Sequence, residues 1–448
     1  MRLQTRKILD RAFAGSGVLA IVLMAAALLI LLTPIFLRGA GAIFFTATVE
    51  HRRFLLEKFE RGNRAAIEAE IASANAARAP VFRAIADFEQ RLTAGNAAER
   101  ARCRSPLKEL KKALQALLGP LSGSTQRMLM RDQYGQTRWD RAQVKLAAVL
   151  YREEWDYSDP TKGGIRLLKP RAADFAGTPL AEIFPYLERN IDKMLLPRRT
   201  VYWRFLTDES FDSHFFGGIW PEILGTLYLT VGSMLLAIPM GLIAAIYLTE
   251  YAQESRLLNL LNSCISTLAG VPSIVFGLFG LAFFINTLNV SQSKSVLAGS
   301  MTLALMILPT VIRASEEAIR AVPHTYKEAA LSLGAGRWHT VWTIMLPAAL
   351  PGILTGTVIS MGRAAGETAP IIFTAVCSVG RPLTILQTLS HETPALSWNI
   401  YNLATEHEAV DEIRHVQYGL VFVLVSLVLL LNLAAIVLRA RIAKRIRV

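Results

Sequence analysis

The sequence predicts an all-α polytopic membrane protein, with six transmembrane helices and a largely helical extracytoplasmic domain between the first two. Three observations carry that expectation. The 448 residues are 52% hydrophobic, richer than an ordinary soluble domain. The apolar residues are gathered into long runs without formal charge, each matching or approaching the roughly 20 residues that cross about 30 Å of hydrocarbon as a helix. Lys and Arg concentrate in segments that fall on one side of the membrane when six spans are counted.

The runs are Ala12 to Leu37, Ile223 to Thr249, Leu257 to Ser293, Ser295 to Ile312, a stretch beginning at Thr340, and Val416 to Leu438. The first follows Arg2, Arg6, Lys7 and Arg11, as a signal peptide does. It is longer than a typical signal-peptide core and lacks a small-residue cleavage site, so it reads as an uncleaved anchor. Leu257 to Ser293 exceeds one crossing, and part of it reads as an apolar loop. Pro239 and Pro272 suggest broken helices in the second and third spans, and Pro309 suggests a kink in the fourth. Basic residues mark the N-terminal tail, the segment with Arg313, Arg320, Lys327 and Arg337, and the tail with Arg439, Arg441, Lys444, Arg445 and Arg447. The parity of six spans puts all three inside.

The chain accordingly divides into an N-terminal tail and anchor (residues 1–40), an extracytoplasmic accessory domain (41–215) and a core of five spans (216–448). In the accessory domain, Val49 to Pro80 is rich in helix formers. SPLKELKKALQALLGP predicts a second helix, with Ser105 as N-cap, Pro106 in its first position and Gly119-Pro120 as its stop. TRWDRAQVKLAAVLYREEW is a third, and the Pro, Gly and Asp between Ser158 and Pro197 read as irregular structure.

The net charge of +13 is explained by membrane topology and points to lipid head groups, with no nucleic acid required. Cys103, Cys264 and Cys377 form no even framework and no metal spacing. The seven histidines occur singly and read as surface or interfacial residues. No GxxxxGK[ST], HExxH or GxSxG is present, so neither a P-loop nor a catalytic constellation is legible, and the chain is expected not to be an enzyme.

Between the fourth and fifth spans runs KEAALSLGAGRWHTVWTIMLP, Lys327 to Pro347. Glu328-Ala329-Ala330, three residues, Gly334, nine residues and Ile344-Met345-Leu346-Pro347 reproduce the full EAA signature, and the segment resembles that of ABC importer permeases. It reads as a short helix closed by a left-handed Gly334, a second short helix, and an entry to span five at Pro347. RAAGETAPIIFTA, Arg363 to Ala375, further resembles the span-five signature of PstA-type phosphate permeases. AIPMGLIAAIYLTEYA and AGVPSIVFGLFGLAFF are similar to the same family's second and third spans. The resemblance covers Glu222 to Val448.

It implies a type I ABC importer permease core in a bacterial inner membrane, with both termini cytoplasmic. The loop 319–347 would dock on an ATPase through Glu328, Ala329, Ala330, Gly334, Ile344, Leu346 and Pro347. It further implies a PstC-type second permease, a PstB-type ATPase dimer and a periplasmic phosphate-binding protein as partners. ATP and Mg would bind the ATPase, leaving no cofactor on this chain. Arg363 and Glu367, four residues apart, are expected to share a helix face at mid-membrane, where ionisable groups face a cavity or a partner. A guanidinium matches phosphate oxygens, so Arg363, Glu367 and Arg313 are the candidate pathway residues. Helical spacing also predicts pairs 313–317 and 316–320. Another oxyanion (molybdate, sulfate or phosphonate) remains an alternative substrate, and a membrane sensor or scaffold acting through the external domain an alternative role.

Overall fold

In hydrocarbon every backbone N–H and C=O must be bonded within its own segment, so apolar runs of this length become helices. The computed structural model describes residues 3–94, 97–119, 137–156, 165–211, 214–407, 410 and 412–446. The chain divides into two compact units, Met1–Ala42 with Trp203–Val448, and Ile43–Tyr202. Residues 203–215 cluster with the first of these. Helix α1 (Leu3–Ala40) leaves Leu23, Leu29, Ile30 and Leu31 exposed, as a lipid-facing helix does.

The unit Ile43–Tyr202 comprises β1 (Phe44–Ala47), α2 (Val49–Phe59), α3 (Arg64–Ala94), α4 (Ala97–Leu118), α5 (Trp139–Leu150), β2 (Tyr151–Asp156), β3 (Ile165–Pro170), α6 (Ile183–Leu195) and β4 (Arg198–Val201). Its core joins Val81, Ile85 and Phe88 of α3 to Leu107, Leu110, Leu114 and Leu117 of α4, Val149 of α5, and Leu187, Ile191 and Met194 of α6. The leucines of α4 recur at three- and four-residue steps, which buries one face. That stripe also corrects the expected helix start: Cys103 continues it upstream, so Ser105 and Pro106 lie inside α4. Burial there outweighs the lost hydrogen bond of an interior proline. The helix ends at Leu118, with Gly119 at φ +95°; Pro120 lies outside the described residues. The third predicted helix stops at Leu150 and continues as β2. The stretch expected to be irregular contains β3 and α6. Strands β2 and β3 pair antiparallel as neighbours in the chain, whereas β1 and β4, with Phe44 opposite Val201, join residues distant in sequence and leave little local signal. Arg78 is buried and holds Glu50 at 2.8 Å, the Met194 carbonyl at 2.9 Å and the Leu118 carbonyl at 3.3 Å.

In the other unit, β5 (Ser210–Phe211) pairs with β6 (Phe216–Gly217). Then follow α7 (Trp220–Ile246), α8 (Arg256–Ala269), α9 (Ser273–Gly280), α10 (Val296–Arg320), α11 (His324–Ser332), α12 (Arg337–Thr340), α13 (Leu346–Gly366), α14 (Ala369–Thr374), α15 (Leu396–Thr405) and α16 (Arg414–Ile446). Among the described residues five helical stretches are long and apolar enough to span: Arg11–Ala40, Trp220–Tyr251, Val296–Arg320, Arg337–Gly366 and Arg414–Ile442. A sixth crossing requires α8 and α9 with its extension to Thr287, which together are bent by 101°.

Contacts between small residues give the helices their directions. Gly232 lies against Ser300 and Gly241 against Val311, so α7 and α10 run parallel. Gly352 lies against Ala318 and Gly356 against Ala314, so α13 is antiparallel to α10. Small residues at four-residue spacing let helices approach closely. Because α7 and α10 run the same way, the chain between them must return. The bent pair makes that return: Asn262 and Ser266 bond to Arg313, while Gly280 lies against Thr302 near the start of α10. The surplus length of the third apolar run is thus a bend at Gly270–Pro272 and a turn at residues 288–295. Of the prolines expected to break helices, Pro272 does so, whereas α7 and α10 pass unbroken through Pro239 and Pro309. Gly39 lies against Phe422 and Ala42 against Gly419, so α1 and α16 are antiparallel. The start of α1, the α11–α12 segment and the end of α16 therefore share one end of the bundle.

Candidate functional site

Helix α13 stops at Gly366 because Pro370 follows four residues later. A proline lacks the N–H that would bond the carbonyl four residues back, and its ring collides with that carbonyl. Glu367 is extended (φ −75°, ψ 130°) and α14 begins at Ala369. The sequence expectation that Arg363 and Glu367 share a helix face is corrected here: Arg363 lies in the last turn and Glu367 beyond it. The two still meet, Arg363 Nε donating to Glu367 Oε1 at 3.4 Å. Among the described residues no other acceptor bonds this guanidinium, whose side chain is 43% exposed. Extending the register of Gly352–Ala318 and Gly356–Ala314 by seven residues sets Arg363 level with Ile307, close to the midpoint of α10. Ile359, one turn earlier on the same face, is also exposed.

Arg313 has a different setting. Nη1 donates to Asn262 Oδ1 (3.3 Å) and Glu316 Oε2 (2.8 Å), and Nη2 to the Asn262 carbonyl and Ser266 Oγ (both 3.0 Å). It pins α8 to α10, about 9 Å along the helix from the level of Arg363. Glu316 also takes Arg320 at 2.6 Å. The expected 316–320 pair is present, and Arg313 pairs with Glu316 where Glu317 was expected.

At the end of the bundle shared with the N-terminus, α11 closes on Gly334 at φ +85°. Glu328, Ala329 and Gly334 are exposed and Ala330 is buried. Leu333 is 90% exposed, and Trp338 stacks on Trp342 with ring centroids 5.7 Å apart. Ile344, Leu346 and Pro347 are half-buried where α12 runs without a break into α13. Lys327 Nζ reaches Glu250 Oε2 at 2.6 Å, beyond the end of α7.

One buried polar group has no sequence signature. His214 Nε2 lies 2.8 Å from Glu222 Oε1, and Asn399 Nδ2 donates to the same oxygen at 3.2 Å. The side chains come from the segment before α7, the first turn of α7 and α15, and all three are buried. His214 and His51, expected at a surface or an interface, are both buried, His51 between Phe45 and Tyr202. All three cysteines are free thiols.

Residues 237–448 match the family model described as binding-protein-dependent transport system inner membrane component. The chain is 35% identical over 242 residues to the probable ABC transporter permease protein YqgI of Bacillus subtilis (strain 168), covering 52% of this chain and 81% of that one. It is 35% identical over 241 residues to the phosphate transport system permease protein PstA 1 of Mycobacterium tuberculosis (strain CDC 1551 / Oshkosh), covering 54% and 77% respectively. A solved structure of the inward-facing MetNI methionine ABC transporter is matched with a TM-score of 0.40 at 17% identity, over 50% of this chain and 97% of that one. The chain belongs to the inner-membrane permease family of binding-protein-dependent ABC transport systems, and is an integral membrane subunit of an ABC importer. Within that family it is a homologue of the PstA phosphate transport permeases.

Proposed function

We propose that the chain is the PstA-type half of the translocation pathway in an ATP-driven importer of inorganic phosphate, with Arg363 as the group that meets the anion. The observation that carries this reading is the setting of Arg363: level with mid-α10, open on one side, and held among the described residues only by a 3.4 Å contact to Glu367. A charge at the centre of a span costs about 2.5–3.5 kcal/mol even on lenient scales, so an open guanidinium there requires a second subunit or a water-filled path beside it. Its planar donors suit the oxygens of a tetrahedral oxyanion. Glu367 holds the guanidinium when the path is empty and yields it when phosphate arrives. Arg313, with Nη1 and Nη2 bonded to Asn262 and Ser266 of α8 and to Glu316 of α10, serves the pathway by fixing the bend beside it.

In this reading the start of α1, the α11–α12 segment and the end of α16 are cytoplasmic, and the unit Ile43–Tyr202 is extracytoplasmic. The exposed face of α11, with Glu328, Ala329 and Gly334, receives a PstB-type ATPase dimer that carries ATP and Mg. A PstC-type permease completes the path, and a periplasmic binding protein delivers phosphate. Closure of the ATPases draws the coupling segments together, and Lys327–Glu250 passes that movement to α7.

The test is radiolabelled phosphate uptake by proteoliposomes of the purified complex, with excess sulfate, molybdate or phosphonate as competitors. Phosphate uptake resisting all three supports the reading. Uptake of one competitor in its place assigns another oxyanion, and no ATP-dependent uptake of any of them removes the importer role.

A further inference from the structure

We infer that α15 is a positioning strut for the helix break that carries Arg363 and Glu367, anchored at one end by the buried His214–Glu222–Asn399 group and touching the break through Ser397. The inference rests on the reading of Arg363 as the anion-binding group.

The argument starts at the break. Glu367 is extended, so its carbonyl has left the hydrogen-bond ladder of α13, and a partly buried carbonyl needs another donor. Ser397 Oγ provides it at 3.0 Å. The orientation of residue 367, and so of the carboxylate that holds Arg363, is set from the first turn of α15.

Helix α15 has ten residues, too few to hold its position by helix propensity alone. Contacts to the outer end of α7 fix it. Leu396 N donates to Thr226 Oγ1 at 2.9 Å and Asn399 Nδ2 to Glu222 Oε1 at 3.2 Å. A Cβ added at Gly225 would stand 2.0 Å from the Pro394 carbonyl; only glycine allows so close an approach. His214 Nε2 completes the group on the same Glu222 oxygen. Neither Glu222 Oε2 nor Asn399 Oδ1 has a hydrogen-bond partner among the described residues. A wholly buried carboxylate so incompletely paired is a poor source of stability, and fixing one geometry is the better attested use of such groups. The segment 393–399 joins that group to the break through Asn399 and Ser397, and also holds the far end of α14, Thr393 N donating to the Ala375 carbonyl at 3.0 Å.

The test uses a nitroxide on Gly366→Cys, in a full-length chain whose three native cysteines are replaced. No atom lies within 4 Å of a Cβ built at Gly366, so the label has room. Spectra are recorded in membranes, and transport is measured in the assembled complex with unlabelled variants. Ser397→Ala and Asn399→Leu should each add a mobile spectral component and lower maximal phosphate transport roughly three- to tenfold, the loss of about one hydrogen bond. Ser397→Thr, which keeps the hydroxyl, should restore both. Spectra and transport unchanged in Ser397→Ala and Asn399→Leu, in a parent that transports phosphate, overturn the strut. A parent that transports no phosphate removes the proposed function, while the spectra still decide whether α15 positions the break.

Discussion

Lys327 Nζ stands 2.6 Å from Glu250 Oε2, tying the segment of the EAA signature to the wide final turns of α7. Lys327 is one-third exposed and Glu250 nearly buried, so the pair contributes within about 1 kcal/mol to stability. Its importance is geometric. Lys327→Ala should leave the amount of folded protein unchanged and lower the phosphate moved per ATP hydrolysed. The exchange Lys327→Glu with Glu250→Lys should recover most of that ratio; additive losses in this double-mutant cycle would count against a coupling role.

Gly334 sits at φ +85° with nothing within 4 Å of a Cβ placed there. The demand for glycine is therefore conformational, not steric. A β-branched residue in this region costs roughly 1–2 kcal/mol, whereas Asn is tolerated. Gly334→Val should separate ATP hydrolysis from transport in proteoliposomes, and Gly334→Asn should keep them coupled. Equal coupling in both would mean that the loop's shape is irrelevant.

Substitution at Arg363 should remove a charge-assisted bond without disturbing packing, since the side chain is open. Such bonds contribute about 1.5–3 kcal/mol, so Arg363→Gln should lower uptake roughly tenfold to a hundredfold while the complex assembles normally. Arg363→Lys keeps the charge and loses the planar fork, and its uptake should fall between the two. Full uptake by Arg363→Gln would take this residue out of the path.

Burial, reinforced by Arg138 and Arg52, pushes the His51 imidazole down to about 3 from its ordinary 6.5. Between those values the unfolded chain binds a proton that the folded chain refuses. Stability from neutral His51 is therefore complete above about pH 6.5 and is lost as pH falls toward 3, with a slope of up to about 1.36 kcal/mol per pH unit. Protection factors of amides in α2 and α6 of the full chain, taken relative to intrinsic exchange at each pH, should fall across that window, and His51→Phe should flatten the dependence. An unchanged slope in His51→Phe would assign the pH response to other groups.

The membrane helices were legible because burial in hydrocarbon writes itself into sequence as long uncharged runs. The EAA segment was legible because its glycine and proline punctuate short helices at fixed spacing. Four things were not. The passage of α4 through Pro106 depends on burial against residues distant in sequence. The close packing of α13 on α10 falls at Gly352 and Gly356, whose neighbours Ala318 and Ala314 belong to a separate helix and leave no local mark. The break between Arg363 and Glu367 is imposed by Pro370, whose missing N–H and ring act on the Gly366 carbonyl four residues back and leave the uncharged run itself unmarked. The His214–Glu222–Asn399 group joins three separate segments, and no local spacing announces such a meeting.

Strand pairing at the root of the inserted unit has a consequence for its history and its use. Phe44 faces Val201 across a two-stranded ladder, so the points at which the chain enters and leaves the unit stand side by side, about 5 Å apart. A gene segment bounded there can be gained, lost or exchanged by one splice, with a linker of a few residues closing the gap and the helical threading on either side left as it was. A linker of a few residues joining Ala42 to Trp203 is therefore long enough to close the gap left by removing residues 43–202.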